Sequence, residues 1–307
     1  MRSTDLAFRR MILGVAGNPG VTRLVTRHGL TLGARRFVSG ETLEEGIQAV
    51  AALKARGLLA TLDYLGEKVS DLAAAGQASA TYQRMLRALA QSGFQPNVSL
   101  KLSQFGLTID REACLANVRH VLEVAAEVNG FVRIDMEESS LVDATLQIFR
   151  TVAREFPGRA GVVLQAYLYR TESDLKALLP MGLNVRLCKG AYSEPPSVAF
   201  PRKRDVDANY LKLLRISLKE AAFTAVATHD ESIIRATAEY IREIRSAGRY
   251  EWQMLYGVKP RLQQALVGRG ERVRIYVPFG THWYPYFVRR LAERPANLAF
   301  VIRGLWG

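Results

Sequence analysis

Val132–Ala166, VRIDMEESSLVDATLQIFRTVAREFPGRAGVVLQA, decides the fold. It opens with a short β-prone run, Val132–Met136. A stretch of helical period follows, Asp143–Phe156, with apolar side chains at Ala144, Ile148, Val152 and Phe156. Pro157–Gly158 closes it, because proline lacks the N–H that a helix needs and glycine lets the backbone turn. A second β-prone run, Gly161–Ala166, then begins. A buried strand, an amphipathic helix and another buried strand make one parallel βαβ unit.

The same alternation extends in both directions. Further strand candidates are Leu59–Leu62, Val98–Leu102, Asn184–Leu187, Ala225–Thr228, Trp252–Leu255 and Arg274–Val277. Helical stretches at Asp207–Ala222 and Glu231–Ala247, the latter ending at Gly248, separate the later ones. Buried parallel strands alternating with amphipathic helices read as α/β. Eight such units in 307 residues fit a closed (β/α)8 barrel, a TIM-like fold, better than an open sheet. The barrel domain is expected at 43–307. Residues 1–42 are expected as a helical arm against its wall, with helices at Asp5–Val15 and Val21–Phe37 broken at Gly17–Asn18–Pro19–Gly20.

Composition narrows the function classes. Hydrophobic residues make up 49% of the chain, which excludes a disordered protein. No apolar run approaches the roughly 18–20 residues that span a bilayer. The N-terminus has no signal-peptide core. The expected location is the cytoplasm, or the membrane face that borders it. The two cysteines, Cys114 and Cys188, and the four histidines make no metal-binding pattern, so no metal is expected. Lys plus Arg exceed Asp plus Glu by 42 to 29, a net charge of +13. That balance suits an anionic partner such as a phosphate ligand or an anionic membrane. The basic residues are scattered and not interleaved with exposed aromatics, which argues against nucleic acid. Scattered arginines on solvated helix faces explain the charge equally well.

Catalytic groups of such barrels lie at the C-terminal ends of the strands. Those ends carry Asp63, Gly66 and Glu67; Lys101 and Ser103; Asp135 and Glu137; Gln165 and Tyr167; Arg186, Lys189 and Tyr192; Thr228, His229 and Asp230; Tyr256; and Tyr276. This mixture of charges exceeds what solvation of strand ends needs. In SLKLS, Lys101 alternates with Leu100 and Leu102. With the leucines facing the helices, the lysine enters the barrel, where Asp135 on the next strand is its expected partner; the alternative is that it snorkels outward. RLCKGAY, Arg186–Tyr192, ends a strand with two cations and a glycine, a weak anion-site pattern. His229 is read either as a general base or as a ring packing on a ligand. Tyr286, Arg289, Arg290 and Glu293 share one face of a helix. That face either clamps a carboxylate or is a solvated, salt-bridged surface.

The motifs ARRFVSGET, KLS, IDME, VVLQAY, RLCKGAY, ATHD, EWQMLYGV, RIYVPFGTHW and YFVRRLAERPAN, in this order from about residue 33 onward, resemble the bacterial proline dehydrogenase family in its short monofunctional form. The resemblance implies a distorted barrel whose last helix lies over the mouth. It implies bound FAD, oxidation of L-proline to Δ1-pyrroline-5-carboxylate, electron transfer to a membrane quinone, and hand-over of product to a pyrroline-5-carboxylate dehydrogenase.

Carried over by motif, Lys101, Arg289 and Arg290 hold the substrate carboxylate, and Asp135 lines the pocket and orients Lys101. Leu187, Tyr192, Tyr276 and Tyr286 enclose the substrate ring, and Glu293 holds the arginine pair. Met136, Gln165, Arg186, Lys189, Gly190, Ala191, Thr228 and His229 match flavin-contacting positions, and Lys203 matches one near the FAD tail. Arg186 is also expected to stabilise charge on the reduced flavin. Asp230 departs from the family, which often carries Asn there. The rival expectation, from the basic mouth alone, is a phosphate-handling aldolase or isomerase barrel without flavin.

Overall fold

Alternation of apolar and polar residues along each strand gives the sheet two unlike faces, and the sheet closes on itself. In the computed structural model, which describes residues 33–66, 68–244 and 249–293 (292 and 293 without side chains), eight parallel strands form a closed barrel in chain order. They are β1 (Leu59–Tyr64), β2 (Asn97–Lys101), β3 (Phe131–Asp135), β4 (Ala160–Gln165), β5 (Asn184–Cys188), β6 (Phe223–Ala227), β7 (Tyr250–Leu255) and β8 (Val273–Phe279). Each overlaps an expected strand. Closure is made by β1 and β8, paired from Leu59↔Arg274 to Tyr64↔Phe279.

The helices that follow the first seven strands are α2 (Leu72–Gln91), α3 (Arg111–Glu127), α4 (Val142–Glu155), α5 (Thr171–Leu178), α6 (Lys203–Glu220), α7 (Glu231–Glu243) and α8 (Pro260–Val267). They form the outer layer. In α4, Ala144, Ile148 and Val152 are buried, as their spacing predicts, and the chain reverses at Gly158 with φ +74°. α6 begins a turn earlier than expected. Asp207 suits an N-cap by type, but its carboxylate instead pairs with Lys189 and Lys203, and Arg202 takes the cap position. The end expected for α7 at Ala247 lies outside the described residues.

Two helices depart from a regular barrel. Helix α1 (Leu43–Lys54) precedes β1 and packs across β8 and β1. A capping box starts it: Thr42 Oγ1 accepts from the Glu45 N–H, and Glu45 accepts from the Thr42 N–H. It fills the slot that the helix after β8 takes in a regular barrel. That last helix, α9 (Tyr284–Glu293), packs instead at the C-terminal end. Its Tyr286, Phe287 and Leu291, with Trp283, cluster with Leu65, Phe37 and Val38, and Tyr276 packs on the cluster. The Trp283 indole N–H donates to Glu41 Oε1 at 3.0 Å.

Of the arm expected at 1–42, residues 1–32 lie outside the described residues. The helix expected to run through Phe37 does not: Gly33, at φ 114°, opens a short 3-10 turn over Ala34–Arg36. The chain then joins the loop after β8, with Ser39 N–H donating to Pro278 O and Gly280 N–H to Gly40 O.

The apolar strand face, including Val98, Leu100, Ile134, Val162, Val185, Trp252 and Ile275, packs under the helices. The other face fills the barrel axis with buried polar groups, among them Asp63, Ser99, Lys101, Arg133, Asp135, Arg186, Glu251, Gln253 and Arg274.

Candidate active site

The polar axis is a continuous ladder. At its floor the Arg274 guanidinium donates to Glu251 Oε1 at 2.7 Å and Oε2 at 3.2 Å. Burial pushes the Glu251 carboxyl up, but Arg274, the Gln253 amide and Arg133 outweigh this and hold it below the ordinary value. Arg133 beside it donates to the carbonyl of Asn184 at 2.8 Å and to its side-chain oxygen at 2.6 Å.

One layer up, Arg186 is held on three edges by three strands. Its Nε donates to Gln253 Oε1 at 2.5 Å, Nη1 to Asp135 Oδ1 at 2.7 Å, and Nη2 to Ser99 Oγ at 2.9 Å. The Tyr276 ring stacks on it, with 5.4 Å between guanidinium carbon and ring centroid.

At the mouth, Tyr276 donates to Asp135 Oδ2 at 2.8 Å and accepts from Lys101 Nζ at 3.2 Å. Burial, followed by the Asp135 and Asp63 charges, raises its phenol well above the ordinary range, so it stays neutral. Lys101 enters the barrel, as the alternation requires. Its closest carboxylate is not the expected one: Asp63 Oδ1 and Oδ2 lie 3.2 and 3.3 Å away, against 3.8 Å for Asp135 Oδ2. Asp135 faces Lys101 in register, but Arg186 takes one of its oxygens and Tyr276 the other. Asp63 also accepts from the Tyr82 hydroxyl at 3.2 Å. Its carboxyl sits above the ordinary value, because full burial and Asp135 outweigh Lys101.

Beside the axis, the ends of β5 and β6 meet the start of α6. Lys189 Nζ lies 2.5 Å from Asp207 Oδ1 and 3.0 Å from Asp230 Oδ2, and Lys203 pairs with both aspartates. Burial opposes ionisation of Asp230, yet the Ser232 hydroxyl and Lys189 hold its carboxyl far below the usual range. Gln165 Nε2 donates to Glu137 O at 2.8 Å. Gly190 has φ +117°, and a Cβ there would stand 2.2 Å from the Tyr167 ring, so only glycine lets the loop pass so close. Met136 is buried at the end of β3, Thr228 Oγ1 accepts from Asp230 N–H, and on the loop Ala191 is exposed and Tyr192 half-buried.

On α9, Tyr286 and Arg290 are buried with the guanidinium 5.1 Å from the tyrosine ring centroid, and Arg289 is half-buried. The buried Arg290 sets aside a fully solvated face. The side chain of Glu293, and Glu67 at the end of β1, lie outside the described residues.

One further expectation is corrected, and one pair of alternatives is narrowed. The Leu187 side chain does not border the mouth: it follows Arg186 in the strand, so the pleat turns it away from the axis, and it is fully buried in the apolar core. His229 is not available as a base at Nε2, which accepts the Leu255 N–H at 2.9 Å. Reading strand ends alone also missed Ser99, Arg133, Glu251, Gln253 and Arg274. Each alternates with apolar neighbours as Lys101 does, and that signal reveals them. Burial pushes both cysteine thiols up to about 12. Among the described residues no group of His, Cys, Asp or Glu is arranged for a metal.

The proline dehydrogenase family profile matches residues 46–303. A proline dehydrogenase of Bacillus subtilis subsp. natto is 42% identical over 298 residues, covering 97% of this chain and 98% of that one. The proline dehydrogenase of Deinococcus radiodurans is 42% identical over 307 residues, covering 98% of both. Among solved structures, proline utilization A (PutA) of Bdellovibrio bacteriovorus, inactivated by N-propargylglycine, superposes with TM-score 0.82 and 25% identity over 92% of this chain. This chain spans 34% of that longer protein. These matches favour the dehydrogenase reading over an aldolase or isomerase, and the chain belongs to the proline dehydrogenase family.

Proposed function

We propose that the protein oxidises L-proline to Δ1-pyrroline-5-carboxylate, with FAD as the hydride acceptor and a membrane quinone as the next electron acceptor. The observation that carries this reading is the convergence of Lys101, Arg186 and Tyr276 on Asp135 at the mouth, next to Tyr286 and Arg290 of α9. The donor set fits a flavin dinucleotide. Arg186 and the Gln165 amide suit the polar edge of the ring system, and Lys189 and Lys203 suit a diphosphate. The flavin supplies the chemistry of accepting hydride from the ring carbon next to nitrogen.

The chain's own residues position and shield. Lys101, Arg289 and Arg290 hold the carboxylate, and Tyr192, Tyr276 and Tyr286 border the ring. Asp63 and Asp135 keep Lys101 from swinging out of the mouth. Helix α9 covers this end of the barrel and limits water. Arg186 keeps a positive charge beside the place where negative charge accumulates. Met136, Ala191, Thr228 and His229 line the cofactor side.

No helix among the described residues is long and apolar enough to cross a membrane. Electron delivery to quinone therefore calls for contact at the bilayer surface, and the net charge of +13 supports weak, salt-sensitive docking on anionic lipid. The test is the absorbance spectrum. Purified protein is expected to be yellow, to bleach anaerobically with L-proline, and to recover with a quinone but not with NAD+. N-propargylglycine, which inactivates the Bdellovibrio relative, is expected to inactivate it. A colourless protein that takes up no FAD rejects the reading.

A further inference from the structure

Arg186 meets a carboxylate at one edge only. Its Nε faces an amide, and that amide has a fixed direction. Gln253 Nε2 donates to Glu251 Oε1 at 2.6 Å, while Gln253 Oε1 accepts from Arg186 Nε at 2.5 Å. A flipped amide would set its NH2 against the guanidinium N–H and its oxygen against the carboxylate, repulsive at both ends. Glu251 therefore determines which end of Gln253 Arg186 meets, and Arg274 in turn clamps Glu251 through both oxygens.

The charges along the axis give this arrangement a consequence. Lys101, Arg133, Arg186 and Arg274 face Asp63, Asp135 and Glu251, so cations outnumber acids there even with Asp63 ionised. Glu251 is taken up by Arg274, and Asp135 is shared by Arg186, Tyr276 and Lys101. A glutamate at 253 would accept the same hydrogen bond from Arg186, but its second oxygen would replace the N–H that Glu251 accepts at 2.6 Å and set two carboxylates against each other. Ser99→Asp brings a carboxylate to another edge of the same guanidinium without that clash. Glutamine holds the guanidinium in place and leaves its charge uncompensated.

We infer that Gln253, oriented by Glu251, is a positioning residue that fixes Arg186 without neutralising it, so that the barrel beneath the mouth retains a positive charge for the substrate carboxylate. This inference rests on the proline-oxidising reading above. A merely structural Gln253 would satisfy hydrogen bonds in the core and have no bearing on ligand charge.

The experiment compares two proline-shaped probes that cannot be oxidised at nitrogen, cyclopentanecarboxylate and the neutral cyclopentanecarboxamide. Both are titrated into flavin-loaded wild type, Ser99→Asp and Gln253→Met, with flavin absorbance as the readout. In Ser99→Asp the Kd of the carboxylate is expected to weaken at least tenfold, and that of the carboxamide to change less than threefold. Gln253→Met loses the acceptor without adding charge, so its carboxylate Kd should weaken clearly less than that of the aspartate variant. Equal weakening of both probes, equal weakening in both variants, or an unchanged carboxylate Kd overturns the inference.

If Ser99→Asp yields no flavin-loaded protein, the double variant Glu251→Gln, Gln253→Glu moves the carboxylate from Arg274 to Arg186 and keeps an amide N–H between the two side chains. The same selective tenfold loss is then expected, and its absence overturns the inference equally. Wild-type protein that is not reduced by L-proline rejects the parent reading instead, so the two failures are distinguishable.

Discussion

Replacing Lys101 by Met tests the electrostatics of the mouth most directly. Methionine keeps the length and most of the volume of the lysine stem, so little packing is lost. What is removed is the cation 3.2 and 3.3 Å from a carboxylate with no exposed surface. Stripping the partner from a buried ion pair costs about 3–5 kcal/mol. Asp63 limits this by taking a proton, since burial already raises its carboxyl and the Tyr82 hydroxyl still hydrogen-bonds to it. The expected loss at neutral pH is therefore about 2–3 kcal/mol.

The loss should also depend on pH. A carboxyl raised in the folded state carries no penalty below its unfolded value, and the penalty grows as pH rises through the folded value. Removing Lys101 raises Asp63 further, so the deficit of the variant should be smallest near about pH 5 and largest near about pH 8. Adding Asp63→Asn removes the charge and should recover about 1–2 kcal/mol. Urea unfolding of the four proteins of this cycle, followed by far-ultraviolet circular dichroism, measures the coupling. A double variant additive to within about 0.5 kcal/mol, or a deficit independent of pH, would refute the reasoning.

The remaining predictions concern the arginines, the lysine cluster and the loop glycine. Arg289→Met and Arg290→Met are each expected to lose about 2–5 kcal/mol in kcat/KM for proline, whereas a solvated salt-bridged face predicts under about 1 kcal/mol in steady-state kinetics. Asp230→Asn keeps the α7 cap, since Asn caps as well as Asp, but removes one of the two carboxylates facing Lys189 and Lys203. FAD titrated into apoprotein and followed by flavin fluorescence should then bind more tightly, by up to about 1 kcal/mol for these half-exposed pairs, and weaker binding would show that Asp230 orients the lysines. Gly190→Ala meets the Tyr167 ring at positive φ and should destabilise the fold by more than about 1 kcal/mol, so an unchanged midpoint in thermal unfolding would contradict the loop geometry.

How far this site is legible without coordinates depends on which rule is applied to which residues. Strand alternation located the barrel because apolar residues repeat along every strand, and applied to SLKLS it correctly turned Lys101 inward. The same rule holds for EWQML, FVRID and NVRLC, where Glu251, Gln253, Arg133, Asp135 and Arg186 alternate with large apolar side chains. A strand buried on its outer face by helices can carry charge only on the inner one, so the polar axis was in principle readable.

The pairing was not readable. Asp135 stands opposite Lys101 in register on the neighbouring strand, which makes it the natural partner in a flat sheet. Closure of the barrel places Arg186 of β5 across the axis from β2 and β3, and the guanidinium takes Asp135 and Ser99 at once. Lys101 is left to Asp63, from the strand on its other side. The exchange of α1 and α9 has the same character. The Thr42–Glu45 capping box marks where α1 begins, but nothing local states that it will occupy the slot beside β8 and leave the last helix to cover the mouth. Local sequence determines which face each residue occupies, and the closed curvature of the sheet determines which of the inward residues meet. For that reason the substrate-side groups can be nominated strand by strand, whereas the contacts of Arg186 with Ser99 and Gln253, from strands that do not adjoin its own, emerge only once the sheet has curved into a closed barrel.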